Sequence, residues 1–399
     1  MDYQMQLTAE EERSLNGEDG KTIASAYRIL LAIGAATEAK KLVPIKWAHV
    51  SGVNYNTIGD AGTEFLEKFA ADDARVAVKT TVNPMGFDRT KPNNLDENFV
   101  KQQMRIVKSF EGLGTTPSFT CVPYEIFEIP QTGTPVSFAE SNAAIYSNSV
   151  LGLLTNKESS LSAIASSLTG KAPYSDLRIE EFRHPKITIS PEVELLTELD
   201  YGLLGYFTGK VVKDSCVALD GITRIKDDII KTKSLSAALG TSGTCGMFTS
   251  SPSEEQVQKR ESIREVIPFD KAELSGIKDE LSTADEGNVI VLGSPQLGLN
   301  ELNLVVDLVK DKKFSKRCMI FCSRTIHNQA TKVGLNDRIE KIGGEIVCDS
   351  CACLTPLITK EDVDSIITNS IKGAYYLNHF NRMEVVLKDL KTIVRDYTN

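Results

Sequence analysis

The chain has one tryptophan and four histidines in 399 residues, and it has no excess of positive charge: 45 Lys and Arg against 54 Asp and Glu leave a formal net charge of −9. The missing basic excess argues against a nucleic-acid partner, whose phosphate backbone asks for a clustered cationic face. A small anionic substrate, held by a few local cations, stays open. A long apolar run is also missing. The longest, around Tyr27-Arg28-Ile29-Leu30-Leu31-Ala32-Ile33, falls far short of the ~20 residues that cross a bilayer, and the N-terminus is acidic and polar. A cytoplasmic protein is expected. His49, His184, His327 and His379 show no i,i+4 pairing, so a histidine-rich metal site lacks its usual spacing. Leu239-Gly240-Thr241-Ser242-Gly243-Thr244-Cys245-Gly246 is glycine-rich but lacks the Lys-Ser/Thr ending of a P-loop and does not match G-x-G-x-x-G, which weakens a nucleotide-binding reading.

Cysteine, by contrast, occurs eight times. In a long chain with no export signal these read as reduced thiols or metal ligands rather than a disulfide framework. Cys322 closes the run Arg317-Cys318-Met319-Ile320-Phe321-Cys322, and Cys351 follows Glu345-Ile346-Val347-Cys348-Asp349-Ser350. Both thiols are thereby expected at one edge of a parallel sheet, where open α/β sheets place their ligands. Cys121 ends a third strand-like stretch, Pro117-Ser118-Phe119-Thr120. Three converging thiolates without a fourth would hold an iron–sulfur cluster with one iron open, which suits Lewis-acid chemistry. Spacing alone also allows a four-cysteine zinc site, because Cys348, Cys351 and Cys353 form C-x2-C-x-C and Cys318 and Cys322 form C-x3-C. A zinc-stabilised scaffold or partner-binding subunit is the non-enzymatic form of that alternative.

The length exceeds the ~250–300 residues at which one hydrophobic core stops growing, so more than one domain is expected. Thr8-Ala9-Glu10-Glu11 has the capping-box pattern, and Ile23, Ala26, Leu30 and Ile33 recur at helical spacing to about Ala36. Strand-like Leu42–Val50, a helix over Asp60–Ala71, a strand near Val76–Thr80, a helix over Asn98–Phe110 and the strand ending at Cys121 then alternate, which points to α/β layers. Residues 132–250 are richer in Ser, Thr, Asn and Gly, with helical patches at Ser159–Thr169 and Leu235–Leu239. A charged helical region is expected from Ser251 to about Thr283. Beyond it come strand Val289–Leu292, helix Glu301–Val309, strand Cys318–Cys322, helices Thr325–Val333 and Asp337–Ile342, and strand Glu345–Cys348. The division expected is 1–286, an α/β core of two intertwined subdomains with 132–250 forming much of the pocket, and 287–399, a three-layer α/β domain.

Polar runs interrupt this pattern: His49-Val50-Ser51-Gly52, Asn83-Pro84-Met85-Gly86, Glu140-Ser141-Asn142, Asn148-Ser149 with Asn156-Lys157, and Asn369-Ser370 with Lys372. Singly, each reads as a turn or helix cap. Together they supply convergent hydrogen bonds for a carboxylate- or phosphate-bearing substrate.

Taken in order, these runs resemble the aconitase X family over nearly the whole chain. The carriers are Leu7-Thr8-Ala9-Glu10-Glu11, His49-Val50-Ser51-Gly52-Val53, Thr57-Ile58-Gly59-Asp60-Ala61-Gly62, Asn83-Pro84-Met85-Gly86, Thr120-Cys121-Val122-Pro123-Tyr124, Asn148-Ser149-Val150-Leu151-Gly152, Thr169-Gly170-Lys171-Ala172-Pro173-Tyr174, Cys322-Ser323-Arg324, Asp349-Ser350-Cys351 and Thr368-Asn369-Ser370. The resemblance implies an aconitase-like α/β fold, with several three-layer α/β/α domains around a central cleft and the mobile swivel domain absent from this chain. It implies an iron–sulfur cluster, [4Fe-4S] when active and [3Fe-4S] or degraded after air exposure, with Cys121, Cys322 and Cys351 as the ligands. The remaining thiols, Cys216, Cys245, Cys318, Cys348 and Cys353, are then structural by default. The implied activity is that of a hydro-lyase dehydrating (R)-5-phosphomevalonate to trans-anhydromevalonate 5-phosphate in the archaeal mevalonate route to isoprenoids. Dehydration of cis-3-hydroxy-L-proline is the alternative within the family. The implied partner is a small swivel-domain subunit, in a heterodimer or a dimer of heterodimers. That subunit would carry the base, so no catalytic residue is assigned on this chain. The expected substrate-binding set is His49, Ser51, Gly52, Asn83, Glu140, Ser141, Asn142, Asn148, Ser149, Asn156, Lys157, Asn369, Ser370 and Lys372, with Lys157 or Lys372 meeting the phosphate. One departure bears on the substrate: relatives read Thr-Asn-Arg-Glu-Gly-Gly where this chain has Thr155-Asn156-Lys157-Glu158-Ser159-Ser160, and Arg and Lys do not bind phosphate with the same geometry.

Overall fold

Thr8 caps the first helix, Ala9–Leu15, as its sequence pattern predicts: its hydroxyl accepts from the Glu11 amide at 3.3 Å while the Glu11 carboxylate accepts from the Thr8 amide at 2.8 Å. The computed structural model describes residues 5–92, 95–213, 216–222, 225–250, 265–360 and 363–399. The amphipathic helix Lys21–Ala36 follows, burying Ala26, Tyr27 and Leu30.

The expected strand Leu42–Val50 divides into β1 (Leu42–Pro44) and β2 (Trp47–Val50). Pro44 has no N–H to continue a ladder, and the two pieces join different sheets. β1 pairs antiparallel with β5 (Lys171–Pro173), whereas β2 lies between β3 (Lys79–Val82) and β4 (Ser137–Phe138) in a parallel three-stranded sheet. Helices Tyr55–Ala70 and Glu97–Gly112 cover this sheet, near where the sequence places them. The stretch Pro117–Thr120 is not a strand. It runs along β3 through bonds from the Thr116 amide to Thr80 O and from the Thr120 amide to Val82 O, but Pro117 breaks the ladder and Phe119 sits at a positive φ of 39°.

The polar middle holds a sheet that the sequence left unread, with order β8 (Met247–Thr249), β7 (Cys216–Leu219), β6 (Ile187–Pro191) and β9 (Glu265–Phe269), all parallel. Of the charged helix expected over Ser251–Thr283, residues 251–264 lie outside the described residues. Glu265–Phe269 is a strand, in keeping with Val266, Ile267 and an edge position that tolerates Pro268. Only Lys271–Leu281, capped by Asp270, is helical. Helices Glu198–Val211 and Ile229–Ser242 pack closely because Gly205 faces the backbone: a Cβ there would stand 2.4 Å from Leu235 O.

The C-terminal part is a five-stranded parallel sheet in the order β12 (Gly344–Cys348), β11 (Arg317–Cys322), β10 (Val289–Leu297), β13 (Ser365–Thr368) and β14 (Glu384–Leu387). Helices Leu299–Val309, Arg324–Lys332 and Leu335–Lys341 correspond to those read from the sequence. Along β11, Cys318, Ile320 and Cys322 enter one core while Met319 and Phe321 enter another, as a period of two requires. Among the described residues, no helix is long and apolar enough to cross a membrane.

Candidate active site

Two parallel sheets turn their carboxyl edges toward one another. From the three-stranded sheet come Ser51 and Gly52 after β2, Asn83 after β3 and Glu140 after β4, with His49 inside β2. From the five-stranded sheet come Ser294 and Gln296 in the irregular end of β10, Cys351 after β12, and Ser370 and Lys372 after β13. The edges are tied by a parallel bridge between Met85 and Ser350, in which the Met85 amide donates to Asp349 O at 2.9 Å. This is the strand-end position at which α/β sheets bind ligands.

A buried polar chain crosses between them. Trp47 Nε1 donates to Thr81 Oγ1 at 2.9 Å, and that oxygen lies 2.8 Å from His49 Nδ1. His49 Nε2 is 2.8 Å from Asn83 Oδ1, and Asn83 Nδ2 donates to Glu140 Oε2 at 2.8 Å. Because the Asn83 amide nitrogen faces a carboxylate, its oxygen must face His49, which fixes the proton on Nε2 and makes Nδ1 the acceptor from Thr81. Burial pushes the imidazole down to about 4, against the Asn83 bond and the Glu140 charge, so it is neutral at physiological pH. Glu140 Oε1 meets Lys372 Nζ at 2.5 Å. Burial opposes both charges. Lys372 and Asn83 nevertheless hold the carboxyl below its ordinary range, and Glu140 and the Cys121 thiol hold the ammonium above its own.

Lys372 also faces the thiols. Cys121 and Cys353 both hydrogen-bond to Cys351, and these two bonds, against burial and with help from Ser294 and the Lys372 charge, hold the Cys351 thiol well below its ordinary value. Ser294 Oγ lies 3.4 Å from Cys351 Sγ and 3.1 Å from Cys353 Sγ. Gln296 clamps the group from below: its amide donates to Cys121 Sγ at 3.2 Å, and its side-chain nitrogen donates to Phe119 O and Ser350 O at 3.1 and 2.8 Å. The structure thus brings together Cys121 and Cys351, as the sequence led us to expect, and adds Cys353. Cys322, the third expected ligand, is fully buried opposite Cys348 in the register of β11 and β12, and the two thiols are hydrogen-bonded partners.

Ser51, Gly52 and Asn83, with Pro84, Ser160 and Leu354, line a cavity of about 270 Å³ that opens beside the polar chain. Ser51 Oγ and Ser160 Oγ are 2.8 Å apart. Ser370 caps helix Ile371–His379, and its hydroxyl reaches Ser294 O. Asn369 donates to Glu198 Oε1 at 3.1 Å and borders a smaller cavity of about 50 Å³ with Ser294 and Lys372. Other expected contacts are turned inward. Asn148 donates to Thr155 O and Gly246 O and accepts from the Thr155 amide and Arg183, and Ser149 Oγ accepts from the Phe248 amide. Asn142 donates to Tyr124 Oη and Cys121 O, bracing the backbone of that thiol. Ser141 opens helix Ser141–Tyr146 against Gly240. Asn156 reaches Ser175, and Lys157 Nζ donates to Gly243 O at 2.6 Å, with burial holding the ammonium below its ordinary value.

Ser294, Gln296 and Lys233 escape a reading of the sequence. Lys233 is buried between Glu125 and Glu301, and burial with the Glu125 charge pushes Glu301 up to about 7 against the pull of Lys233. The one available signal is Gly293-Ser294-Pro295-Gln296, which interrupts an apolar strand with residues that need a reason to be there.

Among the described residues, no three histidine, cysteine, aspartate or glutamate side chains form a group that could hold a single metal ion. A polynuclear iron–sulfur cluster takes its cysteine thiolates on different irons, so it asks for neighbouring thiols rather than ligands around one point. The donor set fits such a group: thiols gathered around Ser294 and Gln296, with a backbone N–H donated to Cys121 Sγ and the Lys372 ammonium nearby. The buried oxygens Gln296 Oε1, Ser350 Oγ and Asn142 Oδ1, all on residues bordering these thiols, have no hydrogen-bond partner.

Models of the aconitase X first, second and third domains match residues 4–181, 185–279 and 287–399. The chain is 34% identical over 404 residues to the phosphomevalonate dehydratase large subunit of Methanocaldococcus jannaschii, covering 98% of this chain and 100% of that one. It is 30% identical to the cis-3-hydroxy-L-proline dehydratase of Pseudomonas aeruginosa, over 93% of this chain and 66% of that one. The crystal structure of Thermococcus kodakaraensis aconitase X, in its holo form, superposes with a TM-score of 0.90 at 31% identity, covering 98% of this chain and 100% of that one. With three family domains in order along nearly its whole length, the chain belongs to the aconitase X family.

Proposed function

We propose that this chain is the large subunit of a phosphomevalonate dehydratase, a hydro-lyase that removes water from (R)-5-phosphomevalonate to give trans-anhydromevalonate 5-phosphate. The observation that carries the reading is the buried chain from His49 through Asn83 and Glu140 to Lys372, which ends at the thiols and runs beside the cavity at Ser51 and Gly52. It is supported by relatives of that name that match almost from end to end.

Dehydration moves a proton from the carbon beside the carboxylate to a base, forms the C=C bond as the C–O bond at C3 breaks, and the departing hydroxide takes up one proton to leave as water, so that H+ and OH− are lost in equal number. Both events are difficult, because the proton is weakly acidic and hydroxide is a poor leaving group. A [4Fe-4S] cluster bound by Cys121, Cys351 and a third thiol would supply Lewis-acid polarisation of the substrate's carboxylate and hydroxyl. The chain's own residues orient and hold charge. Ser51 Oγ, the backbone at Gly52 and the Asn83 amide face the cavity and supply hydrogen bonds to a carboxylate. Lys372 stays protonated beside it, fixed by Glu140, and offsets the charge of the thiolates and of an anionic substrate. Neutral His49 keeps the Asn83 amide in one orientation. Lys157 is the further cation for the phosphate once its bond to Gly243 O is released. The base comes from the small subunit that the name of these relatives implies.

Anaerobically reconstituted complex of the two subunits tests this with (R)-5-phosphomevalonate and cis-3-hydroxy-L-proline side by side. Turnover of the phosphorylated acid is expected. Turnover of hydroxyproline alone would overturn the reading in favour of the other activity named among the relatives.

A further inference from the structure

We propose that the third thiolate for the cluster is Cys353, at the point where Ser294 also reaches, and that Cys322 is a core residue. The inference rests on the iron–sulfur reading above and deepens it. Cys322 alternates with Cys318 and Ile320 on one face of β11 and is packed with Ile326 and Ile339 under the helices that cover that face. To reach Cys121 or Cys351 its side chain would have to leave this core and pass to the other side of the strand, since successive strand residues point to opposite faces. Its own partner is Cys348, also in that core. A Cys–Cys contact between paired strands needs no ligand to explain it, because cysteine behaves there as a small apolar residue.

Cys353 differs on each count. It lies in the turn after β12, two residues from Cys351, and is only half-buried, so its thiol can turn without displacing core side chains. It shares Ser294 with Cys351, and Cys351 in turn contacts Cys121. Lys372 acts on all three of these thiols. The row Cys121, Cys351, Cys353 therefore spans the two facing sheet edges and ends at Ser294, whose hydroxyl lies 3.4 Å from Cys351 Sγ and 3.1 Å from Cys353 Sγ.

The test is cluster content, independent of activity. The full chain and its C353S, C353A and C322A variants are reconstituted anaerobically, and iron and acid-labile sulfide per chain are measured with the visible absorbance and, after mild oxidation, the electron paramagnetic resonance signal. Circular dichroism checks folding. C353S and C353A should lose loading by at least about tenfold, the low end of what even an outer-shell partner costs a metal site, while C322A loads like the parent. In C353S, adding S294C should restore loading, because it places a thiol at the same point. Full loading of folded C353S and C353A beside a loaded parent would overturn the assignment alone. A parent chain that takes up no iron and sulfide would overturn the cluster reading itself.

Discussion

Lys372 Nζ stands 2.5 Å from Glu140 Oε1, joining the ends of two separate sheets, and both side chains are close to nine-tenths buried. Removing one partner of such a pair leaves an uncompensated buried charge and costs about 3–5 kcal/mol, whereas removing both is far milder. K372M should therefore lower unfolding stability by about that amount in a denaturant titration. The double variant E140L/K372M should recover most of the loss while remaining inactive. A double variant no more stable than K372M would show that the pair does not carry this stability.

The buried His49 predicts a pH dependence of stability. Its imidazole is held at about 4 in the folded chain against 6.5 for an unperturbed histidine, so between those values the unfolded chain binds the extra proton. Stability from this group is complete above pH 6.5 and falls as pH drops toward 4, by roughly 3 kcal/mol at 1.36 kcal/mol per unit. Denaturant titrations from pH 7.5 to 4 on the parent and H49Q should show a shallower fall in the variant. Parallel curves would mean that His49 is protonated in the fold or exposed.

Much of this site was legible from particular residues. β-Branched runs near the cysteines placed Cys351 just past a strand end, because a strand buried on both faces writes itself as an apolar run, and the polar runs after β2, β3 and β4 fall at the carboxyl edge of that sheet. What was not legible had physical causes. Ser294 and Gln296 sit in a Gly-Ser-Pro interruption that reads as a turn, although the strand resumes to Leu297. The sheet of β6 to β9 is made of short strands in a polar stretch, with little periodicity to report it. The choice between Cys322 and Cys353 depends on which face of β11 the first thiol takes and how the turn after β12 folds against Ser294, far away in sequence, and spacing does not encode that.

Asn148 shows the same limit, since a buried amide that braces backbone has the same letter as one that faces a substrate. Its side chain makes four hydrogen bonds, to Thr155 O, Gly246 O, the Thr155 amide and Arg183. N148A removes the partner of Thr155 O, Gly246 O and the Thr155 amide, at about 1–3 kcal/mol for each one that water cannot reach, while Arg183 keeps Leu177 O and the backbone of residue 148. Thermal melting should fall clearly, while the KM of protein that remains folded stays near that of the parent. A large rise in KM with unchanged melting would return Asn148 to the substrate.

Gly52 is where the backbone itself shapes the pocket. Its φ of +75° lies in the left-handed region, and a Cβ there would come within 2.9 Å of Ser160 Oγ and 3.2 Å of Ser160 Cβ. G52A thus adds backbone strain of about 1–3 kcal/mol and turns Ser160 away from Ser51, losing a hydrogen bond worth about 0.5–1.5 kcal/mol. Because Ser51 lines the cavity, the same displacement should raise KM. The two effects separate in G52A/S160A, which relieves the contact with the hydroxyl but not the strained φ: it should regain part of the stability lost in G52A while KM stays high, because Ser51 still has no partner to hold it. Stability and KM of G52A both equal to the parent's would show that the turn after β2 adapts freely and does not set the pocket.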